Sequence, residues 1–296
     1  MKRINIFLYL LVAAAFTSCE EADPLDIEQY KKEAYLVGAN QSNNEALSIV
    51  KLPYLETATE EAPTFITVAV GGSKETDRDI QVSVSEAGTA AIDRYNFLYL
   101  FSPTDIRYEY LANSFYRIPE TTATIKAGQT YANIPIYIKT QPLDPDEKYA
   151  LTFKVASVSH PDYVSIRVRD TVLMFSFSLN NPYSGGYQME GEYVKQSNGD
   201  KTPVITSRTL KALNHNTIRL IHTANDERSA TAPTDLGVSV KVNADNTLEV
   251  KPWKNFMLLS GGGTYNPVVK TFDIWYTYKE GTVTYRFEGK YVKNQS

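Results

Sequence analysis

The sequence contains almost no cysteine, tryptophan or histidine, and each shortage excludes a class of site. Of its 296 residues, one is cysteine, two are tryptophan and three are histidine. A single cysteine excludes an internal disulfide and a zinc site built from several thiolates. The histidines His160, His215 and His222 show no metal-binding spacing, so we predict surface histidines, no metal and no cofactor.

The chain also lacks basic blocks and the common catalytic motifs. It has 30 basic and 34 acidic residues, so nucleic acid is a poor partner. No nucleophile elbow or phosphate-binding glycine loop occurs, and residues 261–263, three glycines, are interpreted as a flexible loop. Glu190 and Glu192 have a spacing that a glycosidase pair would allow, but neighbouring lysines favour ordinary surface acids. We therefore predict a protein that is not an enzyme.

Long hydrophobic runs are missing except at the start of the chain. Lys2 and Arg3 precede an apolar stretch over residues 4–16, which is too short to span a membrane and resembles a secretory signal. The small residues Thr17 and Ser18 stand before the single cysteine, Cys19. This arrangement predicts a lipoprotein signal over residues 1–18 and a lipid attached to Cys19.

Acidic residues follow the cysteine directly. Glu20, Glu21 and Asp23 lie in a predicted tether over residues 19–31. These acidic residues, and the signal sequence before Cys19, resemble those of Bacteroidetes lipoproteins that face the cell exterior. We therefore predict an outer-membrane location, held by the lipid anchor alone, although a solvated acidic linker would have the same composition.

Period-two alternation of apolar and polar residues follows the tether through most of the chain, which predicts an all-β protein. The clearest strands of the first part lie at 46–52, 64–70, 79–84, 123–126, 134–139, 149–155 and 172–177. One short helix is expected over residues 87–95. Seven or eight strands with short turns predict an immunoglobulin-like β-sandwich over residues 32–180.

A second series of strands follows a group of turn-forming residues at 180–186. Eight strands are predicted at 187–194, 205–213, 217–222, 236–242, 247–250, 256–259, 271–278 and 282–292. Their number and short connections favour a small antiparallel barrel of calycin or lipocalin type over residues 181–296, with a second sandwich as the alternative. In the last hairpin, a turn at Glu280 and Gly281 would place Trp275 opposite Arg286.

Candidate ligand-binding residues concentrate in the second domain. Aromatic rings for stacking and amides for hydroxyl groups occur together at Trp253, Asn255, Tyr265 and Asn266. Trp253 could instead close the bottom of the barrel. Trp275 and Arg286 form either a sugar-stacking platform or a structural cation–π pair, and the structural interpretation is favoured.

Several strand-and-turn segments resemble a known family. Residues 115–119, 123–129, 134–139, 143–149 and 151–153 resemble the N-terminal domain of Bacteroidetes surface lipoproteins known as domain of unknown function 1735. Residues 263–267, 271–272, 275–278 and 285–287 are similar to domain of unknown function 4361, which often follows it. The resemblance implies a glycan-binding lipoprotein of a polysaccharide-utilisation locus, which holds an oligo- or polysaccharide beside a TonB-dependent transporter. The alternative is a structural or adhesive surface protein.

Overall fold

Strands make up both halves of the protein, as the alternation predicts. The computed structural model describes residues 28–39, 47–163, 172–222 and 237–294. The first ten strands are β1 Ala34–Leu36, β2 Leu47–Pro53, β3 Ala62–Val70, β4 Ile80–Glu86, β5 Tyr108–Tyr110, β6 Tyr116–Arg117, β7 Thr122–Ile125, β8 Tyr131–Ile138, β9 Lys148–Val158 and β10 Val172–Asn180. The last eight are β11 Gly185–Lys195, β12 Lys201–Ala212, β13 Thr217–Ile221, β14 Gly237–Val242, β15 Leu248–Trp253, β16 Leu258–Asn266, β17 Thr271–Glu280 and β18 Val283–Lys293.

The first ten strands form two sheets that pack face to face. One sheet has the order β1-β3-β8-β6, and the other has the order β2-β10-β9-β4-β7, with β5 paired to β9. Successive strand residues point to opposite faces, so every second side chain of each strand enters the space between the sheets. Ile66 and Ile134 from the first sheet meet Phe153 and Phe175 from the second, and all four are almost fully buried. This confirms the β-sandwich.

The helix of the sandwich begins and ends later than the sequence predicts. It spans Ala90–Tyr99 (α1), whereas residues 87–95 were expected. Gly88 has φ 73, a left-handed conformation that interrupts a helix, so α1 begins after it. The helix extends to Tyr99, whose ring centroid lies 4.8 Å from that of Tyr95 one turn earlier.

The last eight strands form one antiparallel sheet that curls into a barrel. Their order is β15-β14-β13-β12-β11-β18-β17-β16. Each pair of neighbouring strands in this order is consecutive in the sequence, except for β11 and β18, the first and last strands of the series. The series closes where Thr247 bridges Thr264 and where the Tyr265 amide donates to the Asn246 carbonyl at 2.9 Å. This up-and-down order confirms the barrel and removes the second sandwich as the alternative.

The three consecutive glycines form part of a barrel strand, so the prediction of a flexible loop is wrong. Gly261, Gly262 and Gly263 lie inside β16. A Cβ at Gly261 would lie 2.8 Å from the Val250 Cβ, and a Cβ at Gly263 would lie 1.9 Å from the Asp273 carbonyl oxygen. The missing side chains therefore let β16 approach both neighbouring strands closely, which barrel closure requires.

The register of the last hairpin differs from the predicted one. Trp275 pairs with Glu288, and Thr277 pairs with Arg286, because the two-residue turn is Gly281–Thr282 rather than Glu280–Gly281. Gly281 has φ 58, and the first turn position is where type II′ turns place glycine. The observed pairing is shifted by two residues from the predicted one. Because side chains alternate between faces with period two, each side chain stays on the predicted face.

The connection between sandwich and barrel is fixed by one buried amide. The Asn181 side chain donates from Nδ2 to the carbonyls of Asn214 and Thr217, at 2.7 and 2.9 Å. Its Oδ1 accepts hydrogen bonds from the amides of Tyr183 and Ser184. Since these four bonds satisfy the whole amide, Asn181 ties the connecting turn to the edge of the barrel.

Candidate functional site

A groove of about 380 Å³ lies between the sandwich and the barrel. The start of β9 and the end of β10 form one wall, and β12 forms the opposite wall. Its aromatic and polar lining includes Tyr108, Lys148, Tyr149, Phe177, Thr209 and Lys211. Grooves of this size at domain boundaries are a common position for small-ligand sites.

Aromatic side chains line the sandwich wall of the groove. The rings of Tyr149 and Phe177 are stacked, with centroids 6.3 Å apart and an interplanar angle of 16°. Tyr108 lies on the neighbouring strand β5, and the Lys148 ammonium is 5.4 Å from its ring centroid. Partial burial raises the pKa of both tyrosine hydroxyls, so these groups stay neutral and available as hydrogen-bond donors or acceptors.

An ion-pair cluster fixes the two walls relative to each other. The Asp146 carboxylate, immediately before β9, accepts two hydrogen bonds from the Arg219 guanidinium, at 2.9 and 2.8 Å. It also accepts one from the Lys211 ammonium at 2.7 Å. Arg219 is only 1% exposed, so its charge lies in the protein interior beside this partner from the other domain. We call Asp146, Lys211 and Arg219 the interdomain ion-pair cluster.

The charges of this cluster determine the protonation state of the carboxylate. Burial alone would raise the pKa of Asp146, but hydrogen bonds from Arg219 and Lys211 outweigh burial and hold this pKa far below its usual range. Asp146 is therefore ionised at every physiological pH. Among the described residues that line the groove, Glu147 is the one carboxylate.

The structure places Trp253 behind this cluster. Its ring centroid is 4.7 Å from the Arg219 guanidinium carbon and 5.9 Å from the Lys254 ammonium. Trp253 thus supports the buried arginine through a cation–π contact on the outside of the barrel. Its buried indole Nε1 has no hydrogen-bond partner among the described residues. Asn255 follows in the exposed turn after β15.

Tyr265 and Asn266 lie at the opposite end of the barrel from Trp253 and Asn255. The strand β16 separates the two pairs, and its nine residues span roughly 27 Å at about 3.4 Å per residue. Tyr265 is buried against Tyr183, with ring centroids 5.0 Å apart. The Asn266 Oδ1 accepts hydrogen bonds from the amides of Val268 and Val269, so it shapes the next turn.

Trp275 and Arg286 are together on the outer face of the barrel. The guanidinium carbon lies 4.3 Å from the centroid of the indole, in a diagonal contact across β17 and β18. The indole also covers Gly262, where a Cβ would lie 3.3 Å from the ring. Trp275 therefore shields a glycine of the neighbouring strand, an arrangement that stabilises sheets. The structure thus divides the six predicted ligand-binding residues among three separate places.

The groove was missed because no local segment contains it. Its lining comes from strands that are far apart in the sequence, and Tyr149 and Phe177 follow the same alternation as ordinary core residues. Tyr108 belongs to a stretch of tyrosines with no distinguishing spacing. Only the packing of the barrel strand β12 against the end of the sandwich strand β10 brings these rings beside Thr209 and Lys211.

The histidines are placed in three different environments. His160 is partly exposed, with its ring centroid 5.4 Å from that of Tyr163. His215 is partly exposed, with Nε2 3.9 Å from a Glu56 carboxylate oxygen. His222 is buried, so the prediction of a surface histidine is wrong there; its Nδ1 lies 2.8 Å from the Tyr276 hydroxyl. Among the described residues, no group of three His, Cys, Asp or Glu side chains could hold a metal ion.

Two family models match the chain and together span most of it. One describes an N-terminal domain and matches residues 30–162, and the other describes a C-terminal domain and matches residues 171–292. The two parts of the chain are therefore similar to the N-terminal and C-terminal domains that these models describe. This agrees with the two-domain resemblance in the sequence. No curated relative matches the chain.

Solved structures from Bacteroides share the fold. A multidomain protein from Bacteroides ovatus that includes domain of unknown function 1735 is 18% identical, with a TM-score of 0.58, over 89% of this chain and 94% of that chain. An auxiliary nutrient binding protein from Bacteroides thetaiotaomicron is 16% identical, with a TM-score of 0.56, over 86% and 92% of the two chains. A protein of unknown function from Bacteroides ovatus is 18% identical, with a TM-score of 0.61, over 89% and 92%.

The predicted signal and anchor, including Cys19, lie outside the described residues. Among the residues that are described, no helix is both long and apolar enough to cross a membrane.

Proposed function

We propose that this protein is a non-catalytic, cell-surface glycan-binding lipoprotein whose interdomain groove holds an oligosaccharide. The observation that carries the proposal is the groove between the two domains, whose lining combines the partly exposed rings of Tyr108 and Tyr149 with the polar side chains of Lys148, Thr209 and Lys211. Aromatic faces stack on sugar rings, while hydroxyl and ammonium groups bind sugar hydroxyls. The shared fold with an auxiliary nutrient binding protein supports the same role.

Binding fits the groove better than hydrolysis does. Glycosidases use one carboxylic acid and one carboxylate on either side of the scissile bond. The described lining of the groove contains one carboxylate, Glu147. The neighbouring Asp146 is ionised and bound to two cations, so it is a poor proton donor and does not complete such a pair. The polar side chains that line the groove instead favour a neutral ligand, which is held by stacking and hydrogen bonds.

The location belongs to the same proposal. A lipid on Cys19 and the acidic residues after it would hold both domains at the outer face of the outer membrane, beside a TonB-dependent transporter that receives the glycan. Cys19→Ala should move the protein from the membrane fraction to the soluble fraction and abolish labelling by radioactive palmitate. Labelling that persists in Cys19→Ala would contradict the anchor, and wild-type protein labelled in parallel is the control.

Replacing Tyr149 tests the groove. We expect Tyr149→Ala to weaken binding of a soluble neutral oligosaccharide about tenfold, which corresponds to about 1.4 kcal/mol of lost stacking. Isothermal titration calorimetry against a panel of neutral plant and host oligosaccharides would measure it. Absolute affinity should be weak, because a few contacts in a wet groove leave little net binding energy.

The control for this experiment is Phe97→Ala, which removes an aromatic ring that is 81% exposed on α1. It should leave the affinity unchanged. If the wild-type protein bound no oligosaccharide in a broad panel and instead self-associated, the structural or adhesive alternative would replace the proposal.

A further inference from the structure

The outer face of the four-stranded sheet carries aromatic side chains that no other layer of the described residues covers. By alternation, Tyr35 on β1, Phe65 on β3 and Tyr131 on β8 point away from the sandwich core. They are 37%, 55% and 58% exposed. Aromatic residues in a sheet normally bury their rings, so three exposed rings on one face indicate a binding surface. We call these three residues the outer aromatic face.

Small and polar side chains lie between the rings. Ala69 stands between Tyr35 and Tyr131, since it pairs with both across the neighbouring strands. In the middle of the face, the Thr67 hydroxyl donates to the Asn133 Oδ1 at 2.8 Å. The surface thus alternates ring faces with hydrogen-bonding groups, the two features that bind a sugar chain.

The face is electrically neutral. The outward positions of β1, β3 and β8 hold only aromatic, proline, alanine, threonine and asparagine side chains. At its edge, Arg117 is paired with Glu61 at 2.6 Å and lies 4.2 Å over the Tyr137 ring. Because these charges are compensated, the face offers nothing to an anionic ligand and suits an uncharged one.

The spacing of the rings fits an extended ligand. Tyr35 and Tyr131 are two strands apart, which is about 10 Å at the usual strand separation. Phe65 lies four residues from Ala69 along β3, which adds roughly 13 Å. A single sugar could contact only one of these rings, whereas a polymer lying on the sheet could contact all three.

We propose that the outer aromatic face binds an uncharged polysaccharide chain laid flat across the sheet. The inference shares the ligand class of the proposed function but concerns a second site, on the sandwich alone. A protein partner is disfavoured because protein interfaces have an apolar centre, whereas the centre here is the Thr67–Asn133 pair. The site would keep the polymer near the groove that takes its shorter fragments.

Affinity electrophoresis tests the proposal with the whole mature chain carrying Cys19→Ser to prevent lipidation. The gels would contain galactomannan, xyloglucan, yeast mannan or dextran, with polygalacturonate as the anionic probe. We expect retardation by at least one neutral polymer, and the double variant Phe65→Ala with Tyr131→Ala should weaken this retardation about tenfold or more. The double variant Phe97→Ala with Phe101→Ala is the matched control, because both rings are exposed elsewhere.

Each outcome decides the inference. Equal retardation of the face variant and the wild type, retardation by polygalacturonate alone, or no retardation by any neutral polymer would overturn it. Concentration-dependent dimers that the face variant abolishes would replace it with self-association. The face variant should keep the wild-type affinity for soluble oligosaccharides, and Tyr149→Ala should keep the retardation, so the failure of one site is distinguishable from the failure of the other.

Discussion

Asp146→Asn should destabilise the protein by about 3 kcal/mol, the low end of the cost of breaking a buried ion pair. The substitution removes the Asp146 charge from beside the Arg219 guanidinium, which is 1% exposed. We expect a destabilisation at the low end of this range because the Asp146 side chain itself is 29% exposed. Chemical denaturation followed by tyrosine fluorescence and circular dichroism would measure the change.

The neighbouring carboxylate provides the control. Glu147 is exposed, so Glu147→Gln should change the free energy of unfolding by less than about 0.5 kcal/mol. Equal stabilities of Asp146→Asn and the wild type would show that the interdomain ion-pair cluster does not hold the domains together. Small-angle scattering of Asp146→Asn should also show a larger radius of gyration if the cluster fixes the groove.

The ion pair between Asp146 and Arg219 also predicts that the free energy of unfolding depends on pH. The folded pKa of Asp146 is far below the unfolded value of about 4. The ion pair therefore contributes its full stability above about pH 4, and this contribution is lost as the pH falls further. The difference between the wild type and Asp146→Asn should shrink in that acidic range. A constant difference from pH 7 to pH 2 would contradict the assignment.

Protonation of His222 should destabilise the barrel between about pH 6.5 and pH 4. Burial, with a smaller effect from the Arg208 charge, lowers the pKa of His222 to about 4. The unfolded chain, with a pKa of about 6.5, therefore takes up the proton first. Stability falls with pH through this window, by at most about 3 kcal/mol, and levels off below pH 4.

The variant His222→Gln should remove this slope, because a neutral amide can still accept from the Tyr276 hydroxyl. His215→Gln, at a partly exposed position, is the matched control and should keep the wild-type slope. Melting temperatures measured every half pH unit would separate the three proteins. Parallel slopes in the wild type and His222→Gln would show that this histidine is not buried in its neutral form.

The alternation of side chains determined most of the fold from the sequence. Strands with one apolar face must pair and cover that face, so the segments that hold Ile66, Ile134 and Phe153 predict a sandwich. Eight such segments with short connections predict the barrel. Tyr276 and Phe287 lie in the barrel interior, as alternation along β17 and β18 requires. The error in the predicted register does not affect this, because a shift of two residues leaves every side chain on its face.

Glycine positions were harder to interpret from the sequence. A run such as residues 261–263 fits a loop as well as a strand, since the missing side chains permit both. The close approach of Val250 and Asp273 on the neighbouring strands decides between them, and those contacts exist only after the barrel closes. Because residues 261–263 were interpreted as a loop, Trp253 and Tyr265 were grouped as one candidate site. The strand β16 instead holds them at opposite ends of the barrel.

The sequence by itself determined the all-β class and the faces of the strands, because each depends on residues that are close together along the chain. Only the tertiary structure decided where ligands could bind. The groove and the outer aromatic face combine residues from distant strands, and pairing between Asp146 and Arg219 forms only when the domains meet. Local patterns cannot specify such contacts, since they depend on which strands become neighbours in space.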